Sequence, residues 1–562
     1  MNPFERKSVE PSPAEDLLAF IHESPTMFHT AASIRARLDE AGFTYLPEGD
    51  AWDVRPGGAY YSQRNGSSVV AWRVGEGVSA RCDGAVVDGL QGGGIGEKGA
   101  EADAAGPHGA VPEGGAPYHF QLTASHSDSP CFKVKSDAEV EGPADYLRLD
   151  TEAYGGMMDY TWFDRPLSLA GRVLVRDGAR IESRLVALNR GVALIPSLAI
   201  HMNGEVNKGF APNRASDLFP LVSAGDLGRG SLDTLIADAL EIDPGQIVAR
   251  DLFLVNADKG RVWGATDEFI SSPRLDDLMC AYTSLQAFIA RGNANAVTVY
   301  ACFDNEEVGS GTKQGAASTL LADALSRINA SLGYAPEDLC RALSASMLVS
   351  CDNAHALHPA HPELADTLAR PQMNAGLVVK EAANQHYCTD AFSRAVLTAI
   401  LDDAEIPHQC FSNRSDKAGG STLGNISNMQ VSVHAVDVAA PSSLCIPAWR
   451  PPAPATSSSR SRHWRRLRSG YPHRRGGGRR AGVARHRDAA APSETPSPLA
   501  TPSPLLRRGC HRDVAARPAS RLADEVRRLW AFLLGKLDTS GAPGLERSQD
   551  PGHVAGELPH SP

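Results

Sequence analysis

Residues 296–311 read AVTVYACFDNEEVGSG. The run from Val297 to Phe303 is short, apolar and rich in β-branched and aromatic residues, and turn formers close it, which predicts a buried strand. Glu306 and Glu307 then stand side by side at its carboxyl end. Adjacent carboxylates raise each other's pKa, and burying them is costly unless something compensates. A solvated acidic loop is one account of this segment and a functional pair of acids is the other. The rest of the chain has to decide.

Three more segments share the design of a β-prone run that delivers polar, ligand-type residues at its end. They are LTASHSDSP (122–130) with His126 and Asp128, SSPRLDDL (271–278) with Asp276 and Asp277, and LVSCDNAHALHP (348–359) with Asp352, His355 and His358. In an open α/β sheet, ligands bind at the carboxyl ends of strands. One imidazole among several carboxylates suits a pair of divalent ions better than a structural zinc site, which favours Cys and His. Two-metal hydrolysis needs a bridging carboxylate, terminal ligands and a base for the attacking water, and adjacent glutamates answer that need as one ligand and one base. Each segment also has a plainer reading when taken singly. A lone His126 is commonly a hydrogen-bonded core or surface histidine. Asp276-Asp277 ahead of an apolar run also suits a helix N-terminus. Asp352 also suits a turn cap, and His355 and His358 also suit one face of a helix. It is the four together that favour a catalytic metal centre.

Around these segments the chain alternates. Residues 14–42 predict two amphipathic helices, with Ser24 and Pro25 between them and Gly42 as the stop. Residues 57–75 alternate like strands, and 76–116 are too rich in Gly and Ala to pack, which predicts a flexible surface insertion. Strand-like runs continue to about residue 225, and from about 230 to 440 helical stretches such as DDLMCAYTSLQAFIARG alternate with strand-like runs. The pattern predicts an α/β sheet with helices on its faces.

The bulk properties bound the function. The chain of 562 residues is 42% hydrophobic and 22% charged, an ordinary globular balance with room for several domains. No apolar run approaches a membrane span, and MNPFERKSVEPSPAEDLLAF lacks a signal-peptide core. Ten scattered cysteines with no CxxC pair suit a reducing, cytoplasmic setting. The net charge of −11 is uneven: residues 442–562 carry 21 Lys+Arg against 9 Asp+Glu, and residues 1–441 carry 34 against 57. So acidic a body argues against a nucleic-acid partner.

The chain resembles the M18 family of metallo-aminopeptidases, the aspartyl aminopeptidase group. The resemblance rests on SPTMFH, HSDSP, YGG with TWFDRPLSLAGRV, IPSLAIHMN, FISSPRLDDL, DNEEVGS, DNAHALHP and SNRSDKAGGSTLGNIS, in family order across about residues 14–441. It implies a zinc-exopeptidase-type catalytic domain, a mixed central sheet with helices on both faces, in two parts at 12–135 and 263–441. Between them it implies an inserted β-rich dimerisation domain at 136–262. It further implies two zinc ions, peptide substrates and a large homo-oligomer. Carried over by position, His126 is a zinc ligand and Asp128 its orienter, while Asp276 bridges the ions and Glu306 is the base. Glu307 and Asp352 are terminal ligands. His201 completes a neighbouring subunit's site, and Lys380 and Tyr387 line the substrate pocket, where a lysine favours an acidic N-terminal residue. Asp277 stands where many members carry Asn. A deacylase or carboxypeptidase on the same scaffold is a rival within enzymes.

After Pro441 the composition changes to Arg, Pro, Ser, Ala and Gly, and the resemblance stops. Relatives continue there with a Met-His-Ser motif whose histidine is the remaining zinc ligand. Leu444 to Pro447, read one base before the Cys445 codon, permits Met-His-Ser. The 442–562 tail is therefore either a misread frame, a disordered basic segment that binds polyanions, or an extra domain. In the first case the chain is an impaired, oligomeric family member that lacks a metal ligand.

Overall fold

The computed structural model describes residues 12–80, 116–417, 419–443 and 446–447. Most of the Gly/Ala-rich insertion and nearly all of the tail lie outside those residues. Ser12 and Glu15 exchange side-chain-to-backbone hydrogen bonds around Pro13, a capping box that starts the helix Pro13–Glu23. The next helix, Met27–Glu40, runs into Gly42, whose φ of +81° suits glycine and turns the chain.

The opening stretch is a strand, Val297–Phe303, buried at every position. Its location explains that. Phe120–His126 pairs with it in parallel on one side and Ser68–Val74 antiparallel on the other, within a sheet of nine strands. Val297, Val299, Ala301 and Phe303 face one side, against Leu320, Leu321 and Ile328 of the helix Leu320–Ser331. Tyr300 and Cys302 face the other, against Phe20, Ile34, Leu278 and Phe288 from three helices, including Leu275–Ala290. A strand covered on both faces reads as a continuous apolar run, not an alternating one. The same cause corrects the reading of residues 57–75. Ser68–Val74 is buried at all but one position because it is an interior strand.

Phe120–His126 and Met347–Cys351 are parallel neighbours, and His434–Ala439 continues the parallel set. Leu377–Glu381 then pairs antiparallel with His434–Ala439, and His408–Ser412 closes that edge. The sheet is mixed, with helices on both faces, which is the α/β class expected.

A second sheet of six strands branches off after His126. In spatial order its strands are Arg180–Ala187, Leu167–Asp177, Ile247–Asn256, Cys131–Glu141, Leu147–Tyr154 and Leu221–Ser223, all paired antiparallel. It begins at Cys131, ahead of the expected residue 136. The helix Ser231–Leu240 covers it through Leu232 and Ile236. Arg172 ties it to the main sheet region. Its guanidinium bonds Asp251 at 2.7 Å and the Asn65 carbonyl at 2.9 Å, and lies 4.3 Å from the Phe28 ring centroid. Among the described residues, no helix is long and apolar enough to cross a membrane.

Candidate metal centre

Three parallel strands end on one edge of the sheet, and their last residues meet there. His126 closes one strand, Asp304 to Glu307 follow the next, and Asp352 follows the third. The fourth contribution comes from the head of the helix Leu275–Ala290, where Asp276 and Asp277 depart from helical φ/ψ. His126 Nε2 lies 3.4 Å from Asp276 Oδ1 and 3.9 Å from both Glu306 Oε2 and Asp352 Oδ1. His126, Asp276, Asp277 and Asp352 each offer a ligand atom, all within 4.8 Å of one another.

The imidazole is held from behind. His126 Nδ1 lies 3.1 Å from the Asp128 carbonyl and 3.4 Å from Asp128 Oδ1, which leaves Nε2 toward the carboxylates. The Asp128 carboxylate in turn accepts the Glu306 N–H at 3.1 Å, the Glu307 N–H at 3.2 Å and the Tyr154 hydroxyl at 2.7 Å. One acid thus orients the histidine and the turn that carries both glutamates. Two of these contributors have no role of their own in the sequence reading: Asp277, named there only as a ligand-type residue beside Asp276, and Tyr154. Asp277 is fully buried, and its Oδ2 accepts the His126 N–H at 3.2 Å. Tyr154 sits in the YGG motif, whose aromatic-then-glycine pattern was its signal.

The charges do not balance within the protein. Burial, with Asp352, Asp128 and Asp276 adding to it against the pull of His126, raises the Glu306 carboxyl to about 7. Burial raises Glu307 to about 9 and carries Asp277 well above the ordinary carboxylate range. Burial alone would lower His126, but its hydrogen bonds to Asp128 and Asp276 carry it well above its usual value. The Asp277 Oδ1 is buried without a hydrogen-bond partner. Clustered carboxylates around one imidazole, with an orphaned carboxylate oxygen among them, fit divalent cations of zinc type.

The remaining candidates fall into two groups. Lys380 is buried, and its ammonium donates to Asp352 Oδ2 and to the Asn353 carbonyl, each at 3.1 Å, 4.8 Å from the Tyr387 ring centroid. Lys380 and Tyr387 therefore belong to the neighbourhood of the cluster. Glu307 borders it without joining the four-residue set. His201 is exposed on the inserted segment and, among the described residues, is not one of the four that cluster in its own chain. His355 and His358 do not share a helical face: Ala354–His355 is a short strand, and the His358 ring lies tilted beside that of His361 instead, 5.2 Å between centroids.

The family profile described as Aminopeptidase I zinc metalloprotease (M18) matches residues 20–87 and 113–445. The chain belongs to the M18 family of metallo-aminopeptidases. The unmatched 88–112 falls within the Gly/Ala-rich insertion. A probable M18 family aminopeptidase 2 from Clostridium novyi is 39% identical over 434 residues, 76% of this chain and 92% of the relative. In a cryo-EM structure of the Ape4 and Nbr1 complex, the matching chain is 30% identical with a TM-score of 0.69, covering 78% of this chain and 82% of that one. The S. cerevisiae mApe1 dodecamer, 24% identical with a TM-score of 0.61, shares the fold over 76% of this chain and 89% of its own. The M18 assignment makes this chain a metallo-aminopeptidase, a hydrolase, of a zinc family.

Proposed function

We propose that this M18 chain removes N-terminal residues, acidic ones by preference, from peptides at a two-zinc centre with Glu306 as the base. The observation that supports it most is His126 Nε2 facing Asp276, Glu306 and Asp352 within 3.9 Å. His126, Asp276, Glu307 and Asp352 would hold the zinc, with Asp276 between the two ions. When bound, zinc supplies Lewis-acid polarisation of a carbonyl and a more acidic water. Asp128 fixes the imidazole tautomer through Nδ1. Glu306 Oε2 takes the proton of the attacking water and returns it to the leaving amine. Lys380 balances Asp352 and, packed against the Tyr387 ring, is the cation on the side of the pocket that would take a substrate carboxylate.

On this reading the inserted sheet is the dimerisation domain of a large homo-oligomer, and His201 serves a neighbouring subunit. The dodecameric relative and the exposure of His201 support it. Free cysteines at 131, 280, 302, 340, 351, 388 and 410 suit a reducing cytoplasm. Metal stoichiometry on the purified chain, beside a panel of aminoacyl substrates, tests the proposal. Two zinc ions per chain with turnover of free amino termini supports it, and turnover of blocked termini alone refutes it.

One observation favours an impaired variant of the same function. The four-residue ligand set contains a single histidine, and the family match ends at residue 445. A frame break near codon 442 would remove the last zinc ligand. Resequencing codons 440–455 tests this, and an intact frame there refutes it.

A further inference from the structure

The Tyr154-Gly155 corner joins the inserted sheet to the catalytic turn. Tyr154 ends the strand Leu147–Tyr154 and pairs in register with Cys131, three residues past Asp128. Its ring packs edge-on against Phe253 of the same sheet, with centroids 5.8 Å apart. Its hydroxyl leaves the sheet and reaches the site, donating to Asp128 Oδ2 at 2.7 Å and accepting from Asn305 Nδ2 at 2.8 Å.

Asn305 is the residue before the two glutamates, held at a φ of +64°. Its Oδ1 accepts from the Thr312 hydroxyl and from Gln314 Nε2, both at 2.8 Å, so the whole 305–314 loop is laced to one side chain. The next residue of the corner, Gly155, has a φ of +83°, and a Cβ there would meet Glu307 Cβ at 2.9 Å and Oε2 at 3.3 Å. The corner therefore touches the glutamate turn in two ways. A hydroxyl fixes its entry, and a missing Cβ lets Glu307 pack close.

We propose that Tyr154 is a positioning residue for the catalytic turn, and that through it the inserted sheet sets where Glu306 and Glu307 stand. The proposal rests on the reading of Glu306 as the base. Asp128 has two oxygens to serve His126, two backbone N–H groups and this hydroxyl. Without the hydroxyl, Oδ2 keeps only the Glu307 N–H, and Asn305 Nδ2 loses its acceptor. The turn that presents Glu306 and Glu307 then gains freedom, while the ring packing and the ligand atoms of His126, Asp276 and Asp352 stay in place.

The test is Tyr154→Phe in the full zinc-loaded chain, beside Glu306→Gln. Hydrogen–deuterium exchange of the peptide covering residues 304–309 should quicken about tenfold, the scale of one lost hydrogen bond to a charged group, with Val297–Phe303 unchanged. Aminopeptidase kcat should fall about tenfold with KM held within about twofold, the signature of a misplaced base, not a lost substrate contact. Wild-type exchange and wild-type kcat in Tyr154→Phe overturn the proposal. So does faster exchange spread equally over Val297–Phe303, which marks general loosening. Full turnover in Glu306→Gln overturns the base reading instead, and the exchange result then decides on Tyr154 alone.

Discussion

Replacing Lys380 by Met removes a charge from beneath the candidate metal centre with little change in volume. The Lys380 side chain is 3% exposed and Asp352 15%, and their charged atoms are 3.1 Å apart. At an effective dielectric of about 20 that separation corresponds to about 5 kcal/mol of attraction. Breaking a buried pair on one side costs about 3–5 kcal/mol, because the surviving charge is left uncompensated. The two scales agree. Burial pushes the Asp352 carboxyl up, yet Lys380 and then His126 bring it below its ordinary value. A lowered folded pKa contributes stability above the unfolded value of about 4 and loses it as pH falls through the folded one. Lys380→Met should therefore lose about 3–5 kcal/mol at neutral pH in EDTA, and the deficit should narrow in strong acid. It should also narrow in excess zinc, since a cation at Asp352 replaces the missing ammonium. Urea unfolding followed by tryptophan fluorescence, with and without zinc, reads both effects. A loss under about 1 kcal/mol in EDTA, or one that zinc leaves untouched, refutes the reasoning.

Glu306→Gln should cut turnover at least about 100-fold while bound metal persists, whereas Glu307→Gln should lose metal as well. Equal and small effects on both would return the turn to a solvated acidic loop. Mixing inactive His201→Ala and Glu306→Gln subunits should regenerate activity if His201 acts across a subunit boundary; no recovery in mixtures shown to exchange subunits rejects that role. His29, bonded through Nδ1 to the Thr26 hydroxyl at 2.9 Å, has its pKa lowered by burial, then by the Arg274 charge, to about 4. Its contribution is complete above the unfolded value of about 6.5 and drains away as pH falls from there toward 4, for roughly 3 kcal/mol in all. A His29→Asn variant should flatten the stability–pH curve in that window, and an unchanged slope counts against it.

The strands that carry His126, Glu306 and Asp352 were legible because each is a short apolar run that breaks sharply into polar residues. That pattern is local. Asp276-Asp277 is legible both as a ligand pair and as a helix start, and in the structure both residues stand at the head of Leu275–Ala290, off helical φ/ψ and clustered with His126 and Asp352. What could not be read is what depends on distance in space alone. Nothing near Lys380 in sequence announces Asp352, and nothing near Tyr154 announces Asn305, because each pair is joined only after the sheet has brought distant segments to one edge. His355 and His358 show the converse. Their spacing of three suits a helix, but the chain there is extended, so spacing alone misleads.

The position of His434–Ala439 has a consequence for how the molecule is made. It is the last long strand in the described chain, yet it pairs with Met347–Cys351 on one side and Leu377–Glu381 on the other. During synthesis the sheet must wait with a gap in its middle, flanked by two open edges of the kind that recruit other chains. A truncation before residue 434 leaves that gap for good and should send the product into aggregates. A change of frame after Pro441 arrives too late to do this. Such a chain would have sealed its sheet already, emerging soluble and well folded while still short of a ligand.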